Sequence, residues 1–255
     1  MLKILICILA GLGAGLGTGF AGMSAAAVIS PMLIAFLDMD PYMAVGIALA
    51  SDVLASAVSA VTYGRNKNLD VKNGLVMMAA VLCFTAAGSF VASIVPKTTM
   101  GNFSVIMTLL LGIKFIVKPV VAPKPCLTDA TTAQKIIRSL LGGALVGFIC
   151  GFVGAGGGMM MLLVLTSLLG YELKTAVGTS VFIMSVTALT GAVSHFAIGG
   201  LPDITALIVC VVSTLVFAQV AAFFANRAQP KTLNRVTGAV LVVLGAAILI
   251  VNFCK

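Results

Sequence analysis

The chain has 255 residues, of which 61% are hydrophobic and only 9% are charged. Its mean hydropathy is +1.22. A soluble domain carries about a quarter charged residues, so this composition excludes the soluble class and places the chain in a lipid bilayer. The net charge of +8 does not indicate nucleic-acid binding, because the basic residues lie in short loops between apolar runs rather than on one face.

The first apolar run lies between Lys3 and Asp38 and contains 34 uncharged residues. A single helix of that length would measure about 50 Å, whereas the hydrocarbon core of a membrane is about 30 Å thick. Small residues lie near the middle of the run, in the stretch "GFAGMSAAAV" that begins at Gly19. Glycine adopts backbone conformations that interrupt a helix, so we predict two shorter helices that meet at a bend.

Three apolar runs follow, and each has the length of one membrane span: 42–63, 74–95 and 99–118. A polar loop with three prolines, from Lys118 to Lys135, then divides the chain near its middle. The second half begins with another long run, 33 uncharged residues between Arg138 and Glu172, with "GFVGAGGGMM" near its middle. This run is also predicted to break. The remaining predicted spans are 175–198, 204–225 and 236–253.

The two halves resemble each other when the sequence is shifted by 132 residues. The shift gives 11 identities over the 49 positions from Gly15 to Tyr63, including matched glycines and a shared "AVG" at 44–46 and 176–178. This pattern predicts a tandem duplication, with a first repeat at 1–121, a connecting loop at 122–135 and a second repeat at 136–255. Repeats with interrupted helices at matching positions are typical of secondary transporters.

The second half carries the pattern G-x-x-G-x-G-G-G at 151–158, followed by A-V-G-T-S at 176–180. This pattern resembles the sulfite exporter TauE/SafE family, and the resemblance covers nearly the whole chain. It implies a transporter of the bacterial cytoplasmic membrane for small sulfur-containing anions such as sulfite, sulfonates or sulfoacetate. The first half departs from the pattern, with Ser24-Ala25-Ala26 in place of the glycine triplet and Ile47-Ala48 in place of Thr-Ser.

Two topologies are compatible with the long runs. If each run crosses the membrane once and the N-terminus is inside, nine basic residues face inside and five face outside, with Lys114 set aside within a span. If each run is a hairpin and the N-terminus is outside, eleven face inside and three face outside. The second arrangement fits the positive-inside rule better. We therefore predict an all-α polytopic membrane protein of two inverted repeats, each a broken, re-entrant helix hairpin followed by three transmembrane helices.

A helix that begins inside the membrane presents unpaired N–H groups and the positive end of its dipole. Such an end can bind an oxyanion, and glycine lets the ligand approach the backbone. The alternative is that the glycines only allow close helix packing. The residues around the two breaks are predicted to contact the substrate: Ser24, Ala25, Gly154, Gly156, Gly157, Gly158, Thr179 and Ser180. The hydroxyls of Thr179 and Ser180 could instead bond back to their own helix.

Two further residues are predicted to couple transport to protons. Asp52 lies at the centre of the predicted span 42–63, where an acidic residue costs at least about 2.5 kcal/mol. Its alternative role is structural, as a partner of Lys114 or of a hydroxyl. His195 is the only histidine and aligns with Tyr63 near the end of its span. It is either a proton relay or an interfacial anchor.

The leading functional hypothesis is a secondary transporter that works by alternating access. An anion channel is the alternative, because it would use the same helix dipoles but needs a continuous pore. A membrane enzyme or scaffold is disfavoured, since one histidine and seven acidic residues, mostly in loops, offer no convincing catalytic set. The six cysteines form no C-x-x-C pair, and neither a metal nor a cofactor is expected. The expected partners are a small anion and the lipid bilayer, and a homodimer is left open.

Overall fold

A computed structural model describes residues 1–92, 109–110, 113, 116–117, 131–153, 157–167, 169–199 and 202–253. These residues form helices and contain no strand. The helices, in chain order, are α1 (Leu2–Ala21), α2 (Ala26–Leu37), α3 (Pro41–Arg65), α4 (Val71–Ala92), α5 (Thr132–Val153), α6 (Gly157–Ser167), α7 (Leu173–Gly199), α8 (Ile204–Arg227) and α9 (Pro230–Phe253). The predicted span 99–118 and the loop after it lie mostly outside the described residues.

The break predicted in the first long run is confirmed. Helix α1 ends at Ala21 and α2 begins at Ala26. Between them, Gly22 adopts the left-handed conformation (φ 60°, ψ 33°) that glycine tolerates best, and its N–H bonds back to the carbonyl of Thr18 at 2.9 Å. The second long run is likewise divided between α5 and α6, and the segment between them, which includes Gly154 and Gly156, lies outside the described residues.

Four of the described helices, α1, α3, α7 and α8, are long and apolar enough to cross a membrane. Helix α8 shows how the chain divides its surface between lipid and protein. Its exposed face carries large aliphatic side chains at helical spacing, including Ile204, Ile208 and Val212. Its buried face is built from small residues such as Ala218 and Ala222. Small residues at helix contacts let membrane helices approach closely. This close packing matters because lipid supplies no hydrophobic force between helices.

Helices α1 and α8 pack closely through glycines. Three glycines of α1 each lie against one residue of α8: Gly11 against Ser213, Gly15 against Phe217 and Gly19 against Ala221. A Cβ atom at any of these glycines would come within 2.7 Å of the neighbouring helix. Because the residue numbers rise together, α1 and α8 run parallel.

Helices α4 and α5 repeat this arrangement. Gly143 of α5 lies against Ala80 of α4, and Gly147 lies against Val81. These glycines match Gly11 and Gly15 under the 132-residue shift, and α4 matches α8 in the same way. The structure therefore contains the same glycine-mediated helix pair twice, each time between one helix of either half.

Helices α3 and α7 match each other under the shift, and they also pack against each other. Three glycines make this contact: Gly46 of α3 against His195, Gly178 of α7 against Tyr63, and Gly191 of α7 against Leu49. Residue numbers fall on one helix as they rise on the other, so the two helices are antiparallel. The contact is reciprocal, because Gly178 and His195 are the counterparts of Gly46 and Tyr63.

Candidate functional site

The end of α1 leaves carbonyl groups without helical partners, and hydroxyl groups satisfy them. Four side chains donate to backbone oxygens around the first break: Tyr63 to Gly19 at 2.9 Å, Thr237 to Phe20 at 3.0 Å, Ser180 to Gly22 at 2.9 Å and Thr18 to Met23 at 2.9 Å. A helix end within a membrane requires such partners, because lipid cannot supply hydrogen bonds. Helices α3, α7 and α9 thus hold the first break in place.

Thr179 and Ser180, which the sequence predicts as substrate contacts, both reach the first half of the chain. Ser180 is fully buried and donates to the carbonyl of Gly22. The hydroxyl oxygen of Thr179 accepts a hydrogen bond from the backbone N–H of Asp70 at 3.2 Å. Each hydroxyl therefore connects α7 to the first half, one at the helix break and the other at the loop between α3 and α4.

The other end of the break, at the start of α2, brings Ser24, Ala25 and Asp52 together. The hydroxyl of Ser24 donates to Oδ2 of Asp52 at 2.8 Å, and the backbone of Ala25 also hydrogen-bonds the carboxyl group. Ser24 further accepts a hydrogen bond from the N–H of Ala26 at 3.3 Å. The sequence predicts Ser24 and Ala25 as substrate contacts and Asp52 as a proton carrier, and the structure joins them in one cluster.

The carboxyl group of Asp52 is fully buried and held by donors from the first break and from α3. Besides Ser24 and Ala25 of the first break, Ser56 of α3 donates to Oδ1 at 2.8 Å. The carboxyl group thus lies at the N-terminal end of α2, where the N–H groups and the helix dipole favour a negative charge. Hydroxyl partners are one of the alternatives that the sequence leaves open, and Lys114 lies outside the described residues.

Helix α3 presents a polar face toward the first break. Asp52, Ser56, Ser59 and Tyr63 follow at spacings of four, three and four residues, which places them on one side of the helix. Sequence analysis identified only Asp52 as a functional residue on this face. The spacing of the two serines and the tyrosine was the signal that could have revealed the others.

His195 lies at the contact between α7 and α3 and is half-buried. Its ring Nδ1 is 3.0 Å from the carbonyl oxygen of Gly191 in its own helix, and its Cβ approaches Gly46 of α3. The hydrogen bonds around Asp52 come from Ser24, Ala25 and Ser56. His195 of α7 thus contacts α3 at Gly46, six residues before Asp52.

A second polar cluster lies where α3 ends, α7 begins and α8 ends. Asn68 donates its side-chain amide to the side chain of Asn226 at 2.7 Å, and Lys174 donates to the backbone oxygen of Asn226 at 2.8 Å. The hydroxyl of Tyr171 donates to Asp70 at 2.7 Å. Burial raises the pKa of the Tyr171 hydroxyl, and the hydrogen bond and charge of Asp70 raise it further, so this hydroxyl stays a donor.

The family model described as "Sulfite exporter TauE/SafE" matches residues 7–248. The chain belongs to this family. It is 26% identical to "Probable membrane transporter protein YunE" of Bacillus subtilis (strain 168), over 97% of the chain and 98% of that relative. It is 22% identical to "Probable membrane transporter protein MJ0441" of Methanocaldococcus jannaschii, over 98% of the chain and 97% of that relative. The protein is therefore a multi-pass membrane transporter and not an enzyme.

For a TauE/SafE protein, the difference between the two breaks is informative. Under the 132-residue shift, Ser24 and Asp52 match Gly156 and Met184. Met184 is buried and carries no charge, and Gly156 lies outside the described residues. The N-terminal end of α2 is thus occupied by a carboxyl group of the protein itself, whereas the sequence supplies no carboxyl group at the matching position for α6, which begins at Gly157.

Proposed function

We propose that this TauE/SafE protein is a secondary transporter that moves a small sulfur-containing oxyanion, such as sulfite, a sulfonate or sulfoacetate, by alternating access. The observation that carries this proposal is the Asp52 cluster: a fully buried carboxyl group, in a helix long enough to span the membrane, held by three donors at the start of a broken helix. Such a position binds an oxyanion and also provides a group that can take up a proton. The name of the family supports the substrate class.

Alternating access between inverted repeats is supported by the direction of α3 and α7. If each long run crossed the membrane once, α3 would be the second crossing and α7 the sixth, counting the predicted span 99–118, and both would run the same way. If each run is a hairpin, α3 is the first crossing and α7 the fourth, and they run in opposite directions. The antiparallel contact of these matched helices fits the hairpin arrangement.

The Asn68–Asn226 hydrogen bond supports the same arrangement. The hairpin topology places the end of α3 and the end of α8 on the inner side of the membrane, together with the start of α7. The single-crossing topology would separate the end of α3 from the other two by the thickness of the membrane. The 2.7 Å hydrogen bond between Asn68 and Asn226 joins the loop after α3 directly to the end of α8.

The substrate is proposed to bind between the two breaks, in contact with the helix that starts at each of them. Helix α6 begins there at Gly157, and the position matching Asp52 carries the uncharged Met184. The sequence therefore supplies no carboxylate at this position that would repel a charge brought by the substrate. The proposed contacts are those predicted from the sequence: Ser24, Ala25, Gly154, Gly156, Gly157, Gly158, Thr179 and Ser180.

Asp52 is proposed to carry the coupled proton. Its carboxyl group is fully buried, and its contacts are hydrogen-bond donors that accommodate either protonation state after rotation of a hydroxyl. His195, half-buried at the α3–α7 contact, is proposed as a relay between Asp52 and the membrane surface.

The test uses purified protein in proteoliposomes with an imposed pH gradient. Uptake of labelled sulfite, sulfate, thiosulfate and organosulfonates identifies the substrate.

Asp52→Asn is expected to abolish proton-driven flux but to retain counterflow of labelled for unlabelled substrate, because the site stays folded without a titrating group. Ser51→Ala is the matched control, since the hydroxyl of Ser51 bonds back to Ile47 of its own helix. Driven flux at the wild-type level in Asp52→Asn would refute the coupling, and single-channel current steps in a bilayer would refute the transporter.

A further inference from the structure

The three donors around Asp52 have the geometry of an oxyanion site. The hydroxyls of Ser24 and Ser56 each lie 2.8 Å from a different carboxyl oxygen, and the backbone of Ala25 supplies the third hydrogen bond. A sulfite or sulfonate group presents similar oxygens that share a negative charge. The donors that hold the carboxylate of Asp52 would therefore also hold the oxyanion of a substrate.

An independent feature points to a ligand beside this cluster, on the same face of α3 and about one helical turn beyond Ser56. The hydroxyl of Ser59 is fully buried and has no hydrogen-bond partner among the described residues. Ser59 lies on the polar face of α3, between Ser56, which bonds Asp52, and Tyr63, which bonds Gly19 at the end of α1. It therefore faces the broken segment. A buried hydroxyl without a partner is costly unless a ligand or water satisfies it.

We propose that these donors form an oxyanion subsite that the carboxylate of Asp52 and the oxyanion of the substrate occupy in turn. The proposal rests on the proposed function, that the protein moves a small oxyanion. When Asp52 takes up a proton from the aqueous phase, it loses its charge and its hydrogen bonds with the three donors weaken. The anion then binds Ser24, Ala25 and Ser56, with Ser59 as an additional donor. When the anion leaves, Asp52 releases the proton and its carboxylate returns.

Mutual exclusion explains why one proton would accompany one anion. Two negative charges in one buried site repel each other strongly, because the interior screens charge poorly. The site therefore accepts the anion only while Asp52 is neutral. While Asp52 is ionised, its carboxylate also prevents the site from binding an anion, so no anion binds before Asp52 is protonated.

The other titratable groups near α3 lie at different levels of the helices. Helix α2 carries none, and the others on α3 itself, Tyr42, Tyr63 and Arg65, lie ten or more residues from Asp52. The remaining titratable and charged side chains on the helices packed against α3 are Lys3 and Cys7 of α1, Lys174 and His195 of α7, and Cys210 and Arg227 of α8. Of these, His195 contacts α3 at Gly46, so it is the alternative origin of a pH effect that the experiment must separate from Asp52.

The experiment measures equilibrium binding of labelled methanesulfonate to the purified protein between pH 5 and 8. Methanesulfonate keeps a single negative charge throughout this range, so a pH effect reports on the protein. In the wild type, the dissociation constant is expected to rise with pH and to approach a tenfold increase per pH unit once Asp52 is ionised. Asp52→Ala is expected to bind independently of pH, at least as tightly as the wild type at pH 5. Asp52→Asn, which preserves the size of the side chain, is expected to lose the pH dependence as well.

Variants of the donors complete the test. Ser56→Ala and Ser59→Ala are each expected to weaken binding about tenfold or more, because each removes a hydrogen bond to an anion. Both should keep the pH dependence. His195→Gln should keep it as well, because a relay changes the rate of proton transfer and not the binding equilibrium. Ser51→Ala should change nothing. A pH dependence that persists in both Asp52 variants would overturn the subsite, as would pH-independent binding by the wild type. Absence of methanesulfonate binding at every pH would instead overturn the proposed substrate class, and the subsite with it.

Discussion

The hydroxyl of Ser180 donates a hydrogen bond to the carbonyl oxygen of Gly22 at 2.9 Å. Ser180 belongs to the "AVGTS" stretch of the second half, and Gly22 is the left-handed residue that ends α1 in the first half. A motif in the second half of the chain thus stabilises the helix break in the first half. The two halves are therefore expected to depend on each other for the local structure on which binding relies.

Ser180→Ala should destabilise the protein by about 1–3 kcal/mol, because it leaves a buried carbonyl without its donor. Thermal unfolding of the purified protein in detergent measures the effect. Thr190→Ala is the matched control on the same helix, since the hydroxyl of Thr190 bonds back to Val186 and is exposed. Equal shifts for the two variants would show that the Ser180–Gly22 hydrogen bond contributes nothing specific.

Both termini should face the outside of the membrane. A reporter that works only in the cytoplasm is expected to be silent when it is fused after Lys255, and active when it is inserted in the loop between Lys118 and Lys135. The antiparallel contact between α3 and α7 fits the opposite orientation proposed for the two halves, and the excess of basic residues in the loops assigned to the inside sets the side on which the termini lie. An active reporter after Lys255 would instead support the single-crossing topology.

The interrupted helices could be predicted from the sequence because their causes are local. Glycines stand inside apolar runs that are too long for one span, and charges mark the ends of the spans. Asp52 was identifiable for the same reason, as a lone acid within an apolar run. The repeat also suggested which helices are equivalent, although it did not show that α3 and α7 touch.

The partners of these residues could not be predicted, because they come from distant parts of the chain. Thr237 bonds Phe20 across 217 positions, and Ser24 bonds Asp52 across 28. No periodicity within one helix contains that information. Sequence analysis did not single out the serines of α3, since a serine in a membrane helix often bonds back to its own backbone. The spacing of these serines marks a polar face, but the contact that this face makes with the first break is set by the tertiary packing.

Asp203 should contribute to stability mainly as a helix cap. Its carboxylate accepts a hydrogen bond from the N–H of Ala206 at 3.0 Å and forms an ion pair with Lys3. Asp203→Ala is expected to cost about 1 kcal/mol by loss of the cap. Asp203→Asn should cost less, because asparagine also caps helices and an exposed ion pair is worth little.

Asp203 is also expected to make the stability of the protein depend on pH. The hydrogen bond from Lys3, followed by that from Ala206, holds the pKa of Asp203 below its ordinary value. A folded-state pKa below the unfolded one means that the stabilisation is complete above the unfolded pKa, about 3.9, and is lost as the pH falls through the folded pKa. The thermal midpoints of the wild type and Asp203→Ala should therefore converge on acidification below about pH 4. A constant difference between them in acid would contradict this role.

Gly178 and Gly191 of α7 should respond differently to alanine. A Cβ at Gly178 would lie 2.0 Å from the backbone oxygen of Asn68, which cannot move aside easily, so Gly178→Ala should cost about 1–3 kcal/mol. A Cβ at Gly191 would lie 3.0 Å from the end of the flexible Leu49 side chain. Gly191→Ala should be neutral or stabilising, because alanine favours the helix by up to about 1 kcal/mol. Thermal unfolding of both variants is the measurement, and a larger loss at Gly191 would contradict the packing of α3 on α7.

Gly157→Leu should abolish transport while the protein still inserts and remains monodisperse. Gly157 is the first residue of α6, where we propose that the backbone meets the substrate anion, and a leucine there would fill the space that the ligand needs. The matching change in the first half, Ala25→Leu, should act through stability, because Ala25 is fully buried and its backbone already bonds Asp52. Proteoliposome flux and thermal unfolding, measured on the same preparations, separate the two effects. Gly157→Leu is expected to lose flux with a nearly unchanged midpoint, whereas Ala25→Leu is expected to lower the midpoint and to retain some flux. Substantial flux in Gly157→Leu would mean that the second break serves helix packing, and that the anion binds elsewhere.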